Sequence, residues 1–135
     1  MRRGFFYNLA VLWLVAVLAV PVMAEPLELE LSSGAVITVE RYGKGRERVL
    51  WIPSEYGLRG EVEGRLATAV AGADREVWLV DPHGSYFMPP GRSSFDRVPR
   101  GDIGELIARA HADSEQLFLL SYGRGAALML EAARL

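Results

Sequence analysis

The chain has 135 residues, half of them apolar, which is material for one packed domain and no more. Its 15 basic and 17 acidic residues leave a formal charge of −2, so the basic surface that a nucleic-acid partner requires is excluded. Cysteine is absent, and with it disulfides, thiol chemistry and lipid attachment at a cysteine.

The N-terminus reads as an export signal. Arg2 and Arg3 precede an apolar run over residues 9–20, and Pro21 and the small-residue site "VMA" follow, which predicts cleavage after Ala24. "RRGFF" lacks the flanking serine and lysine of a twin-arginine signal, and the general secretory route fits better. Left uncut, residues 5–24 are long enough to span a bilayer, although Asn8 and Pro21 interrupt them. The expected location is therefore periplasmic or secreted, with an inner-membrane anchor as the alternative and membrane contact only if the segment stays attached. Losing Arg2 and Arg3 takes the formal balance from −2 for the whole chain to −4 for residues 25–135.

"LELEL" at 27–31 alternates as a half-buried strand does, and "AVITVE" at 35–40 follows across Ser33-Gly34, which predicts a hairpin. "RYGKGRER" at 41–48 reads as a solvated, glycine-interrupted connection. Three continuous apolar runs follow, "VLWIP" at 49–53, "REVWLVD" at 75–81 and "QLFLLS" at 116–121, as expected of strands covered on both faces. Helical patterns separate them. Val62, Leu66, Ala69 and Val70 predict one buried face, with Glu61 four residues before Arg65, and Ile103, Leu106, Ile107 and Ala110 predict another. Asp102 and Glu105 fit an acidic capping box at the start of the second helix, and a third helix begins near Arg124. Strands alternating with helices need crossovers, so the expected fold class is α/β: an antiparallel hairpin leading into a parallel βαβαβα sheet.

This order resembles the N-terminal half of the α/β-hydrolase fold, and four segments carry the resemblance across residues 27–135. "RVLWIPSEYG" stands where that family has its first central strand and His-Gly loop. "REVWLVDPHG" with "GRSS" at 91–94 stands at its strand, Asp and Gly-x-Ser loop. "DIGELIARA" is similar to the helix leading into the nucleophile strand, and "LFLLSYGRGAAL" to that strand, its elbow and the helix behind. The resemblance implies ester, amide or related acyl substrates and a domain at 25–135 that looks truncated relative to the family.

In G-x-S-x-G the nucleophile tips a tight strand-to-helix turn, and its flanks must be small so that strand and helix can approach. Ser121, Gly123 and Gly125 occupy these three positions, so the flanks obey the rule while the attacking oxygen is missing. Losing such a nucleophile costs on the order of a millionfold in turnover. The family's His-Gly pair falls near Pro53-Ser54, where proline offers no N–H, and Glu55 would repel an oxyanion. The acid and histidine of a triad would follow the nucleophile helix and do not appear by Leu135.

No catalytic residue is therefore assigned. Ser121 is expected to pack under the turn. Asp81, His83 and Ser85 lie too close in sequence for triad geometry, and His111 fits a helix C-terminus. Two isolated histidines without cysteine argue against a metal site, and no cofactor is expected. Gly123-Arg124-Gly125 also opens a helix as a dinucleotide fingerprint does, but Leu128 replaces the third small residue. Ser54, His83, Tyr86, Phe87 and Arg124 are the candidate ligand-binding residues at the carboxyl edge of the sheet, where α/β folds bind. The loop at 85–95, "SYFMPPGRSSF", either receives an apolar ligand or partner or folds over the elbow as a plug.

Three functional classes follow. The chain is a noncatalytic binding module for a small molecule or protein, a hydrolase with an atypical site or one completed by another chain, or a shortened relative without independent function. Strand 116–121, apolar and uncharged, is expected at the sheet edge, where a partner, a homodimer or aggregation would cover it.

Overall fold

The computed structural model describes residues 23–135, so all but the last two residues of the expected signal segment lie outside the described residues. Strands β1 (Glu25–Glu30) and β2 (Val36–Tyr42) form the expected antiparallel hairpin. Gly34 turns it with a φ of 87°, a conformation that costs glycine nothing, and Leu31 N donates to Ala35 O at 2.8 Å.

Residues 43–46 then carry the chain past one strand position before β3 (Glu47–Ile52). This connection is exposed but not free. Arg46 donates to Asp74 through its backbone N at 3.1 Å and its guanidinium at 3.0 and 3.1 Å, and it reaches Glu115 at 3.4 Å. Gly45 lies so close to Asp74 that a Cβ would overlap that residue's backbone. The basic loop is thereby tied by carboxylates of its own chain.

Helix α1 (Glu61–Ala71) leads to β4 (Arg75–Val80), a single turn α2 (Pro82–Ser85) and a 3-10 turn (Ser94–Arg97) follow, and α3 (Arg100–Ala112) leads to β5 (Gln116–Ser121) and α4 (Arg124–Ala132). The sheet order is β1-β2-β4-β3-β5, with β2 antiparallel to β4 and β3 parallel to both β4 and β5. The α/β class is thus the observed one, an antiparallel pair joined to parallel strands. The crossover through α1 moves one way from β3 and the crossover through α3 moves back across it. Crossovers of one hand therefore put the two helices on opposite faces. Accordingly, α1 covers Val49, Trp51, Val77 and Leu79, while α3 and α4 cover Leu50, Ile52, Trp78 and Val80.

Two local expectations are corrected. In α1 the buried face is Glu63, Ala67 and Ala71, while Val62, Leu66 and Ala69 face solvent and Val70 is only half-buried. Small side chains let the helix approach the bulky Tyr42 and Trp51, and a Cβ on Gly64 would stand 3.2 Å from the Tyr42 hydroxyl. Glu63 is buried there and accepts the Arg59 N–H at 2.8 Å, ahead of the helix. In α3 the helix starts at Arg100, and Asp102 with Glu105 makes no capping box. Asp102 Oδ2 instead accepts the Tyr86 hydroxyl at 2.6 Å, and Glu105 accepts Ser32 N at 3.0 Å, tying the helix to the hairpin turn.

Candidate functional site

Opposed crossovers leave a switch point at the carboxyl end of β3, and the three loops that meet there are residues 53–57, 81–95 and the turn 122–124. The turn has the shape expected of an elbow. Gly123 has a φ of 61°, and α4 begins at the next residue. Ser121 Oγ donates to Ile52 O at 2.7 Å, so its hydroxyl is consumed beneath the turn. A Cβ on Gly125 would overlap Pro53 O and stand 2.6 Å from Ser121 Oγ, so only glycine lets helix and strand meet here.

Glu55 closes the space above the elbow. Its Oε2 accepts Arg124 N at 2.9 Å, at the N-terminus of α4, and a Cβ on Gly123 would lie 2.6 Å from that oxygen and 3.2 Å from Ser54 Cβ. The free N–H that an anionic ligand would use is thus occupied by the chain's own carboxylate. The Arg124 guanidinium turns toward Asp96 at 3.8 Å. Hydrogen bonds from Arg124 N and from its own N–H hold the Glu55 carboxyl below the usual carboxylate range, helped by the charges of Arg124 and Arg92.

A depressed carboxyl stabilises the fold above its ordinary pKa, and that contribution is lost as pH falls through the folded value. Melting curves of wild type and Glu55→Gln between pH 6 and pH 3 are therefore expected to converge on acidification, with the wild type losing more. Parallel curves would mean that the carboxylate does not hold the elbow.

The loop of Glu55 is held from behind. Glu55 O accepts Gly91 N at 2.9 Å and His83 Nε2 at 2.9 Å, and Ser94 Oγ lies 3.1 Å away. Since a carbonyl only accepts, this bond sets the Nε2–H tautomer of His83. Its Nδ1 is buried without a hydrogen-bond partner among the described residues. Phe95 packs on the imidazole at 5.2 Å between ring centroids and reaches toward Gly125. Sequence reasoning placed Gly91 and Phe95 in a loop that could fold over the elbow, but it missed the part of Ser94 and the bonds to Glu55 O. The "GRSS" likeness pointed at the segment without showing that its backbone binds Glu55.

The remaining candidates separate. Ser54 is buried and its Oγ accepts Tyr56 N at 3.3 Å. Tyr86 is half-buried, and its hydroxyl is pushed well above its ordinary pKa by burial and then by the bond to Asp102. Phe87 is 95 % exposed at a φ of 53°, the one non-glycine residue with positive φ among those described. A strained backbone that presents an aromatic ring to water fits a contact point better than a core residue. The loop thus folds its Phe95 end onto the elbow and holds its Phe87 end out.

Asp81, His83 and Ser85 do not converge. Asp81 Oδ1 accepts Gly84 N at 3.1 Å, and Ser85 Oγ donates to Asp81 O at 2.6 Å, while His83 faces Glu55. His111 is exposed at the end of α3, beside the opposite end of β5. No cluster of His, Asp and Glu suited to a metal occurs among the described residues, nor any helix long and apolar enough to cross a membrane.

No protein-family model matches the chain, and no curated protein matches it. Among solved structures it is similar to DcsB in complex with its substrate analogue, with a TM-score of 0.58 and 16 % identity. The match covers 82 % of this chain and 40 % of the DcsB chain. The likeness is one of fold. The chain spans less than half the length of that neighbour.

Proposed function

We propose that residues 25–135 are an exported α/β-hydrolase-like domain that binds a ligand or partner at the carboxyl edge of its sheet and does no acyl transfer at the elbow. One observation carries this reading: the place of a nucleophile side chain at Gly123 is filled by the Glu55 carboxylate. A tetrahedral intermediate needs donors aimed at its oxygen, and here the Arg124 N–H is spent on a negative charge. The tight turn at Gly123, the close approach at Gly125 and the helices on both faces support the resemblance to that family. A substrate analogue on DcsB, which shares the fold, agrees with a binding role. Phe87, with Tyr56 and Tyr122 exposed on the neighbouring loops, offers the aromatic surface for it. Export rests on the signal pattern of residues 1–24 and leads to the periplasm or outside the cell, or to the inner membrane if the segment is kept.

A serine-reactive fluorophosphonate probe tests the reading. Wild type is expected to stay unlabelled by intact-mass measurement, and so is Gly123→Ser, whose new side chain meets Glu55 instead of a base. Stoichiometric modification of a serine in the wild type would overturn the proposal.

A further inference from the structure

His83 joins the segments that close the elbow. It is buried in α2, its Nε2 meets Glu55 O of the 53–57 loop at 2.9 Å, and Ser94 Oγ stands 3.1 Å away. Phe95 packs on the ring, and Met88 N donates to His83 O at 2.9 Å. The other ring nitrogen has nothing to bond. A Cβ at Gly57 would stand 3.3 Å from Nδ1 and 3.5 Å from Pro90 Cγ, so this side of the ring faces the Gly57 backbone and a proline. The Gly57 N–H itself donates to Ser54 O at 2.9 Å. The charged groups nearby are engaged elsewhere. Asp81, the cap of α2, accepts Gly84 N at 3.1 Å, and Asp102 accepts the Tyr86 hydroxyl at 2.6 Å. Glu55 turns its carboxylate to Arg124 N, with the charges of Arg124 and Arg92 beside it, and Asp96 faces the Arg124 guanidinium at 3.8 Å. None of these carboxylates bonds Nδ1.

We propose that His83 is an acid-operated latch: a second proton on its ring parts the 53–57 loop from α2 and from the loop that carries Ser94 and Phe95, and so uncovers the elbow. Closed, the ring has a place for one proton, the Nε2–H given to Glu55 O. A proton added at Nδ1 makes a buried cation whose new N–H has no acceptor, and such a group is costly to keep from water. In water both N–H groups find partners, so the open form takes the second proton and the closed form does not. Closure is therefore favoured at the higher pH and lost as pH falls. When the ring leaves, Glu55 O loses the donor that ties its loop to α2, and the carboxylate of the same residue loses its fixed place over Arg124 N. The latch regulates the binding edge proposed above and rests on that reading for its use. Its test reads the opening itself, so a labelled serine would sink the binding reading and leave the latch standing.

Amide hydrogen exchange of the full chain, corrected for the intrinsic effect of pH, supplies the test. The Gly91 and Arg124 amides donate to Glu55 O and Glu55 Oε2 and report the two sides of the closure. Their protection in wild type is expected to fall by up to about tenfold per pH unit between about pH 7.5 and pH 5.5, where an imidazole in water gains its second proton. The amides of β3 are expected to keep theirs. His83→Gln retains an N–H for Glu55 O and takes no proton, so its Gly91 amide is expected to stay protected over the same interval. In Glu55→Gln the Gly91 amide is expected to respond as in wild type, which separates the latch from the carboxylate. Unchanged protection of Gly91 and Arg124 in wild type, or an equal fall in His83→Gln, would overturn the proposal. Should His83→Gln fail to fold, wild type decides alone: in a pH titration followed by NMR, the His83 ring nitrogens and the Gly91 amide are expected to shift together. A ring that gains its proton while the Gly91 amide stays in place would equally overturn the latch.

Discussion

Gly125→Ala is expected to lower the melting temperature by roughly 15 °C, the scale of about 3 kcal/mol in a domain of this size. The added methyl would overlap Pro53 O, a backbone atom, and press on Ser121 Oγ at 2.6 Å and the Phe95 ring at 3.3 Å. None of these neighbours can swing away cheaply. Pro53 belongs to the loop that carries Glu55, Ser121 is bonded to Ile52 O, and Phe95 is buried on His83. The strain therefore spreads to every segment that closes the elbow. Gly101→Ala is the matched control: it adds the same methyl inside α3, where nothing lies within 4 Å, and is expected to be neutral or to stabilise by up to about 1 kcal/mol. If thermal melts of the two variants fall within a couple of degrees of each other, helix and strand do not meet as closely as described.

The smallness of the elbow flanks was legible in the sequence because it is a local demand: a strand run, three small positions and a helix run occur in order within residues 116–135. The fate of Ser121 was legible for the same reason. The closure of the elbow was not. Glu55 was seen to lie near an oxyanion position, but its bond to Arg124 joins residues 69 apart, and its backing by Gly91 and His83 depends on where the loop folds. The strand runs announced a parallel sheet, yet the exchange that seats β4 between β2 and β3 is a property of crossover handedness and loop passage. Hydrophobicity also misled at α1. Val62 and Leu66 are its bulky residues, but a surface holding Tyr42 and Trp51 accepts alanines. Asp102 and Glu105, spaced as a cap, lie inside a helix that starts at Arg100 and accept from distant donors instead, which local spacing does not reveal.

Arg48→Met is expected to destabilise by about 3–5 kcal/mol, the range for leaving one partner of a buried ion pair without the other. Arg48 and Glu76 stand opposite each other on β3 and β4 and meet at 2.8 Å with side chains 8 and 12 % exposed. The guanidinium also lies 4.3 Å over the Trp78 ring and donates to Ala110 O at 2.7 Å, in the last turn of α3. One side chain thereby joins the sheet to the helix that feeds β5, and its loss strands Glu76 in an apolar setting. The double variant Arg48→Met with Glu76→Leu is expected to recover most of the loss, since apolar groups of similar volume refill the site without a charge to desolvate. Denaturant titrations of wild type, both single variants and the double variant give the coupling directly. A double variant as unstable as Arg48→Met alone would locate the cost in the bond to Ala110 O. That bond, which ties α3 down just before the chain enters the elbow strand, would then be the one that holds this end of the sheet.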